Sequence, residues 1–246
     1  MKRLQITGRF AVFSDVHGNL PALEAVLADV EQRGIADVMC LGDLVGYGPY
    51  PNEVAQLMRE RGIPTIMGNY DQGVGFSLGD CGCVYKTDEQ RAEGAASLAW
   101  TDQVTTGETR AFLRTLQDRL VLDTPAGELL AVHGSPRRIN EYLFADRPET
   151  AMARMARDNP FRAILFGHTH VPYVREVQGT AFVNVGSAGR PKDGDWRACY
   201  AVVDPGRSDS DRLGVEFFRV AYDHARLAEA LAQTDLITSF DVPVSG

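Results

Sequence analysis

Five times in its first 170 residues the chain runs through a short apolar stretch and stops on aspartate, asparagine or histidine beside glycine. The stretches are "FAVFSDVHGN" (Asp15, His17), "DVMCLGD" (Asp43), "PTIMGNYD" (Asn69, Tyr70, Asp71), "LLAVHG" (His133) and "AILFGHTH" (His168, His170). Apolar runs of this length bounded by turn residues read as buried strands. Polar groups collected at strand ends are what an open α/β sheet places in a crevice. Four of the five histidines belong to these blocks, and only His224 lies outside them, in a C-terminal helical pattern.

The rest of the chain fits such a layered fold. Strands are expected at 10–14, 37–42, 64–67, 129–134, 163–167, 181–185, 199–204 and 214–220, and helices at 20–34, 51–62, 88–101, 108–117, 148–158 and 223–233. In the first helix Leu20, Leu23, Val26, Leu27 and Val30 share one face, and Gly34 follows its end. The first half reads as β-α units and the second is richer in strands, so the expectation is two packed sheets flanked by helices. One domain over 1–246 is expected, with 73–118, glycine-rich and then helical, inserted over the strand ends as a cap. At 44% hydrophobic content this length can bury a proper core.

Charge and cysteines narrow the function classes. Lys and Arg number 25 against 33 Asp and Glu, a formal charge of −8, and no basic run is long enough to track a phosphate backbone. No stable nucleic-acid or membrane partner is expected. The basic N-terminus precedes only a short apolar stretch, so it does not read as a signal peptide, and no window approaches a membrane span. Cys40, Cys81, Cys83 and Cys199 include one C-x-C and no C-x-x-C; a reduced cytoplasmic chain is the default.

Each block also has a plain structural reading. Asp15 can cap a turn before the helix near Leu20, Asp43 and Gly68-Asn69 are turn formers, and His133 can simply end a strand. "GHTH" says more, because residues i and i+2 of an extended segment point the same way and deliver two imidazoles to one place. Five such blocks in order point jointly to a metal site. Oxygen donors mixed with imidazole, with no cysteine among them, suit manganese, iron, cobalt, nickel or zinc.

The order D-x-H, G-D, G-N-x-D, H-G, G-H-T-H resembles the calcineurin-like metallophosphoesterases, from about Ala11 to Asp204. The segments "VHGSPRRINEYLF" and "NVGSAGRPKDGDWRACYAVVD" resemble its bacterial and archaeal phosphodiesterase branch, of the diadenosine-tetraphosphatase-like kind. The resemblance implies a four-layer α/β/β/α sandwich of two mixed sheets and a small-molecule phosphoester substrate. It implies two divalent ions, manganese first, with iron, nickel, cobalt, zinc or magnesium as alternatives. One ion would be held by Asp15, His17, Asp43 and His170 and the other by Asp43, Asn69, His133 and His168, with attack by a bridging hydroxide. Phosphomonoester or phosphoprotein phosphatase activity is the rival reading, as is a non-catalytic scaffold like the related retromer subunit.

Tyr70 departs from the family pattern, which has histidine there, assigned to protonating the leaving oxygen and oriented by the residue matching Asp71. Tyrosine titrates near 10, so the departure implies substrates whose leaving group needs little help; alternatively Tyr70 is a packing residue and water, Asp71 or another group is the acid. Arg137, Arg138 and Arg190 are candidate phosphate contacts, although the first two read equally as a solvated pair. "DCGCVY" is placed at the pocket entrance, with no role for its cysteines. Trp100 and Phe112 read as core of the insertion. The 235–244 stretch either folds back or contacts another subunit, so an oligomer stays open.

Overall fold

The computed structural model describes residues 1–206, 213–236 and 240. Its strands form two mixed sheets. The larger has the order β1 (Lys2–Gln5), β4 (Arg119–Thr124), β5 (Gly127–Val132), β6 (Ala163–Phe166), β8 (Thr180–Asn184), β7 (Tyr173–Val177); β1 runs parallel to β4 and β5, β6 and β8 run parallel to one another. The smaller runs β10 (Gly214–Val220), β9 (Ala198–Asp204), β2 (Phe10–Phe13), β3 (Asp37–Cys40), with only β2 and β3 parallel.

Alternation along the strands makes the layers. Phe10 and Val12 of β2 face one way and Ala11 and Phe13 the other, into different core clusters. In β5, Leu129 and Ala131 join Phe10 and Val12 between the sheets, whereas Leu130 and Val132 face α6 (Glu149–Asp158) with Met152 and Met155. The remaining cluster packs the smaller sheet under α1 (Leu20–Gln32) and α2 (Pro51–Glu60). Three apolar clusters thus separate four layers, the α/β/β/α sandwich expected. Asn19 caps α1 by accepting from the Ala22 N–H, and its amide donates to the Gly189 carbonyl, so one side chain ties the helix start to the loop after β8.

Several elements differ from expectation. Residues 64–67 form no strand: Thr65 bridges Cys40 and Ile66 bridges Gln117, so the segment passes from one neighbour to the next and pairs fully with neither. Gly68-Asn69 is not a plain turn but the start of a helix, α3 (Asn69–Gly75). Strands β1, β4 and β7 were not anticipated; β1 and β7 are sheet edges whose polar outer faces weaken the apolar signal. Residues 73–118, expected as an insertion, hold α4 (Asp88–Val104) and α5 (Gly107–Leu113). Within 235–244, residues 237–239 and 241–244 lie outside the described residues, while Phe240 is buried in the cluster beneath α1. No helix among the described residues is long and apolar enough to cross a membrane.

Candidate metal centre

The loops leaving β2, β3, β5 and β6, with the start of α3, bring the predicted residues together at one end of the sheets. Two clusters result, Asp15, His17 and His170, and Asp43, His133 and His168, each with its ligand-type atoms within 4.8 Å of one another, and all six residues are buried. The two adjoin through shared carboxylates. Asp43 Oδ2 lies 3.3 Å from His133 Nε2 and 3.7 Å from His17 Nε2; Asp15 Oδ1 lies 3.3 Å from His170 Nε2 and 3.9 Å from both His17 and His133 Nε2. Asn69 joins through Oδ1, 3.1 Å from His133 Nε2.

The backbone is bent to achieve this. Asp15, His17, Asp43, His168 and His170 all have φ between 49° and 64°, the left-handed region that costs a non-glycine residue roughly 1–3 kcal/mol. Strain at five of the seven predicted ligand positions is hard to attribute to chance turns. The glycines beside them are spacers. A Cβ on Gly68 would stand 2.1 Å from Asp43 Oδ1, and one on Gly167 would stand 2.4 Å from Asp15 Oδ2.

Hydrogen bonding orients three of the four imidazoles. Nδ1 of His17 donates to the Val45 carbonyl (3.1 Å), Nδ1 of His133 to Leu41 (2.7 Å) and Nδ1 of His170 to Arg190 (2.6 Å). A carbonyl can only accept, so Nδ1 carries a proton in each, and the two rings that burial keeps neutral, His17 and His170, present an Nε2 lone pair to the cluster. His17 Nε2 and His170 Nε2 then face each other at 3.2 Å, lone pair to lone pair. Asp15 Oδ1 and His168 Nε2 are buried with no hydrogen-bond partner. Acceptors converging without donors are what a cation resolves, so these residues fit a pair of divalent ions.

Electrostatics keep three of the four imidazoles neutral. Burial pushes His17 and His168 down to about 3 and His170 well below its ordinary value, keeping them neutral. His133 goes the other way, up to about 10: burial opposes its charge, but Asp43 and Asp15 outweigh that. For Asp43, burial raises the pKa and the His133 and His17 rings more than reverse it, holding it below the usual carboxylate range.

The three residues expected to be catalytic sit differently from one another. Asn69 donates through Nδ2 to the Cys81 carbonyl (3.0 Å) and Cys83 Sγ (3.2 Å), which leaves Oδ1 aimed at His133. The C-x-C thus positions Asn69, a contact that spacing alone did not reveal. Asp71 has both oxygens engaged by backbone amides: Oδ2 by Asp43 (2.8 Å) and Gly68 (2.9 Å), Oδ1 by Leu44 (2.8 Å) and Val45 (3.4 Å). Burial and the nearby Asp43 raise its pKa to about 7 against the pull of these donors. Tyr70 is buried, its ring edge-on to His17 at 5.4 Å and tilted on Tyr47 at 5.0 Å. Its hydroxyl lies amid Tyr47, Tyr85 and Cys81 with no hydrogen bond of good geometry, and burial raises its pKa well above 10.

Beside the clusters opens a cavity of about 1090 Å³, whose walls include Arg137, Arg138 and Arg190. Arg190 is buried, its guanidinium 4.0 Å from the Tyr47 ring centre and its Nη2 2.6 Å from Glu93 of α4. Arg137 pairs with Glu141. Val84 and Tyr85 of the "DCGCVY" stretch line the cavity, and Trp100 and Phe112 do not. The sequence reading missed Tyr47, Glu93, Glu141 and Tyr142, none of which carries a motif signal; Tyr142 packs its ring 4.1 Å from that of His168.

The model for the calcineurin-like phosphoesterase superfamily domain matches residues 9–207. The uncharacterized protein MJ0912 of Methanocaldococcus jannaschii is 32% identical over 248 residues, covering 94% of this chain and 95% of its own. Phosphodiesterase YfcE of Escherichia coli (strain K12) is 29% identical over 202 residues, 78% of this chain and 84% of its own. The crystal structure of a metallophosphoesterase from Sphaerobacter thermophilus superposes with a TM-score of 0.70 at 30% identity, over 92% of this chain and 93% of that one.

Proposed function

The chain belongs to the calcineurin-like phosphoesterase superfamily, and from that premise we propose that it is a dinuclear metal-dependent phosphodiesterase acting on a small-molecule or nucleotide phosphodiester. The observation that carries this reading is the pair of buried ligand clusters with Asp43 within reach of both, next to a cation-lined cavity whose wall includes Thr169, between His168 and His170, and Tyr142, packed on His168. Asp15, His17 and His170 would hold one ion and Asn69, His133 and His168 the other, with Asp43 shared; manganese is the proposed metal. Such a pair supplies Lewis acidity toward phosphoryl oxygens and acidifies water, so no serine or cysteine nucleophile is required.

The chain's own residues do the positioning. Asp71, by accepting from the Asp43, Leu44, Val45 and Gly68 amides, holds the loop that presents Asp43. Arg190 serves twice: its carbonyl fixes the His170 tautomer, and its guanidinium faces the cavity where a non-bridging phosphate oxygen would lie. Arg137 and Arg138 are proposed to meet substrate farther out. Residues 73–118 act as a cap: Ser97 of α4 accepts from the Tyr47 N–H (2.7 Å) and Glu93 binds Arg190.

Tyr70 sharpens the substrate class. A sealed hydroxyl held far above neutral pH is a poor proton donor, which favours esters with good leaving groups, such as aryl diesters and anhydrides. Four free thiols, Cys40, Cys81, Cys83 and Cys199, fit a reducing cytoplasm. The test is to strip the protein with chelator, reload it with manganese, and compare bis-p-nitrophenyl with p-nitrophenyl phosphate. The diester should be turned over faster. Preference for the monoester would make it a phosphatase, and no turnover of either with any divalent metal would make it a scaffold.

A further inference from the structure

The C-x-C stretch carries more chemistry than the positioning of Asn69 uses. Cys81 and Cys83 bring their sulfurs to 3.1 Å of one another, about 1 Å beyond the roughly 2.05 Å of a disulfide bond. The turn between them is pinned. Gly82 has a φ of 67°, its N–H donates to Asp80 Oδ1 (2.8 Å) and its carbonyl accepts from Asn140 Nδ2 (2.8 Å). A Cβ on Gly82 would stand 2.3 Å from that amide nitrogen, so the turn needs glycine and holds the two thiols side by side.

Access and connection set this pair apart from the other two cysteines. Cys40 and Cys199 are fully buried, whereas Cys83 is only partly buried and is followed by Val84, which is 72% exposed. Val84, Tyr85 and Asn140 line the cavity, so a small solute entering it reaches the turn. The pair is also joined to the metal centre. Asn69 Nδ2 donates to Cys83 Sγ at 3.2 Å and to the Cys81 carbonyl at 3.0 Å, and Oδ1 of the same amide lies 3.1 Å from His133 Nε2. Whatever moves Cys83 Sγ therefore acts on the amide that presents Oδ1 to the cluster of Asp43, His133 and His168.

Resting for its consequence on the dinuclear reading above, we propose that Cys81 and Cys83 are a site of reversible oxidation by hydrogen peroxide, and that closing their disulfide loosens the metal ion beside Asn69. Cys83, the more exposed, reacts first. Its sulfur attacks one peroxide oxygen, the O–O bond breaks, and the second oxygen leaves as water with the thiol proton, giving a sulfenic acid. The Cys81 sulfur then attacks the sulfenic sulfur, the S–O bond breaks, and the hydroxide leaves as water with the Cys81 proton. Two thiols and one peroxide thus give one disulfide and two waters. Drawn toward Cys81, the Cys83 sulfur ceases to accept from Asn69, and loss of such an outer partner lowers metal affinity by about 10–100-fold. A bridge closed across a single residue is strained and readily reduced, so a dithiol reductant restores the site.

The test treats the manganese-loaded protein with hydrogen peroxide, removes the excess and alkylates the remaining thiols. Mass spectrometry should find the tryptic peptide 62–86, which holds both cysteines, unalkylated and lighter by two hydrogens, with Cys40 and Cys199 alkylated as before. Dithiothreitol should reverse the change. Cys81→Ser should stop at a sulfenic acid on Cys83 that dimedone traps. Equilibrium dialysis should show one of the two manganese ions bound at least about tenfold more weakly by the oxidised parent than by the reduced one. In Cys83→Ser, peroxide should leave manganese affinity where it was in the same variant untreated, which separates thiol chemistry from oxidation of the metal. A peptide that keeps both thiols, a bridge that leaves manganese affinity unchanged, or an equal loss in Cys83→Ser would each overturn the proposal. Turnover of bis-p-nitrophenyl phosphate by the untreated protein keeps the two readings apart. Turnover without a bridge sinks the oxidation site alone, and a reversible bridge that loosens manganese in a protein without turnover sinks the phosphodiesterase reading alone.

Discussion

Replacing Asp71 by asparagine keeps the shape of the side chain and changes one oxygen into a donor. Each carboxylate oxygen serves two backbone amides, Oδ2 those of Asp43 and Gly68 and Oδ1 those of Leu44 and Val45, so an amide NH₂ in either place sets a donor against two buried donors. An unsatisfied buried donor costs roughly 1–3 kcal/mol, giving about 2–6 kcal/mol in all. Relief of repulsion between Asp71 and Asp43 offsets part of this, leaving about 2–4 kcal/mol. For a chain of this size each kcal/mol moves Tm by roughly 2–4 °C, so Asp71→Asn should melt about 5–15 °C lower than the parent when both are metal-free. Because the strained loop it holds presents Asp43, the variant should also retain less manganese after desalting. Circular dichroism melts and metal analysis read the two effects separately. An unchanged Tm with full metal content would refute the role given to these four hydrogen bonds.

Tyr70→Phe deletes an orphaned hydroxyl, so it should leave stability equal or raise it by about 1 kcal/mol and leave turnover of aryl diesters within about threefold; a large loss would mean that the hydroxyl does chemistry. Tyr70→His should raise rates most on alkyl leaving groups, by up to the roughly 10²–10⁴-fold of general acid catalysis, whereas equal gains on alkyl and aryl esters would argue against a missing acid. In the metal-free protein His17 and His168, held near 3 against an unfolded value near 6.5, contribute stability that is full above about pH 6.5 and lost as pH falls toward 3. Tm should therefore drop steadily below pH 6.5, and a flat profile from 7 to about 4.5 would contradict the assignment; His133, raised to about 10, works in the opposite window, stabilising below 6.5 and ceasing to do so as pH rises through 10. Arg190→Lys removes a planar fork that faces Tyr47 and Glu93 but keeps the carbonyl bound to His170, so KM should rise about tenfold with metal occupancy unchanged.

The ligand blocks were legible because each is local: an apolar strand, a glycine and a short polar turn leave their mark within ten residues. Layering followed from the same strands, since alternation in β2 and β5 assigns each side chain to one of two faces. The start of α3 was less legible, because Gly68-Asn69 reads as a turn and only the distant Asp43 loop, through Asp71, makes it a helix N-terminus. Edge strands β1 and β7 were hidden by polar outer faces. The surroundings of the site were hidden for a different reason. Cys83 beside Asn69, Glu93 on Arg190 and Tyr142 against His168 join residues 14, 97 and 26 positions apart, and no local pattern announces such contacts.

The central claim is that side chains from distant loops form one site for two cations around a common carboxylate. Equilibrium dialysis against manganese, with bound metal counted by mass spectrometry, tests it most directly. The account predicts two ions per chain at saturation, and loss of both in Asp43→Ala while its circular dichroism spectrum stays that of the parent. Saturation at one ion or none, or two ions that persist in Asp43→Ala, would contradict it.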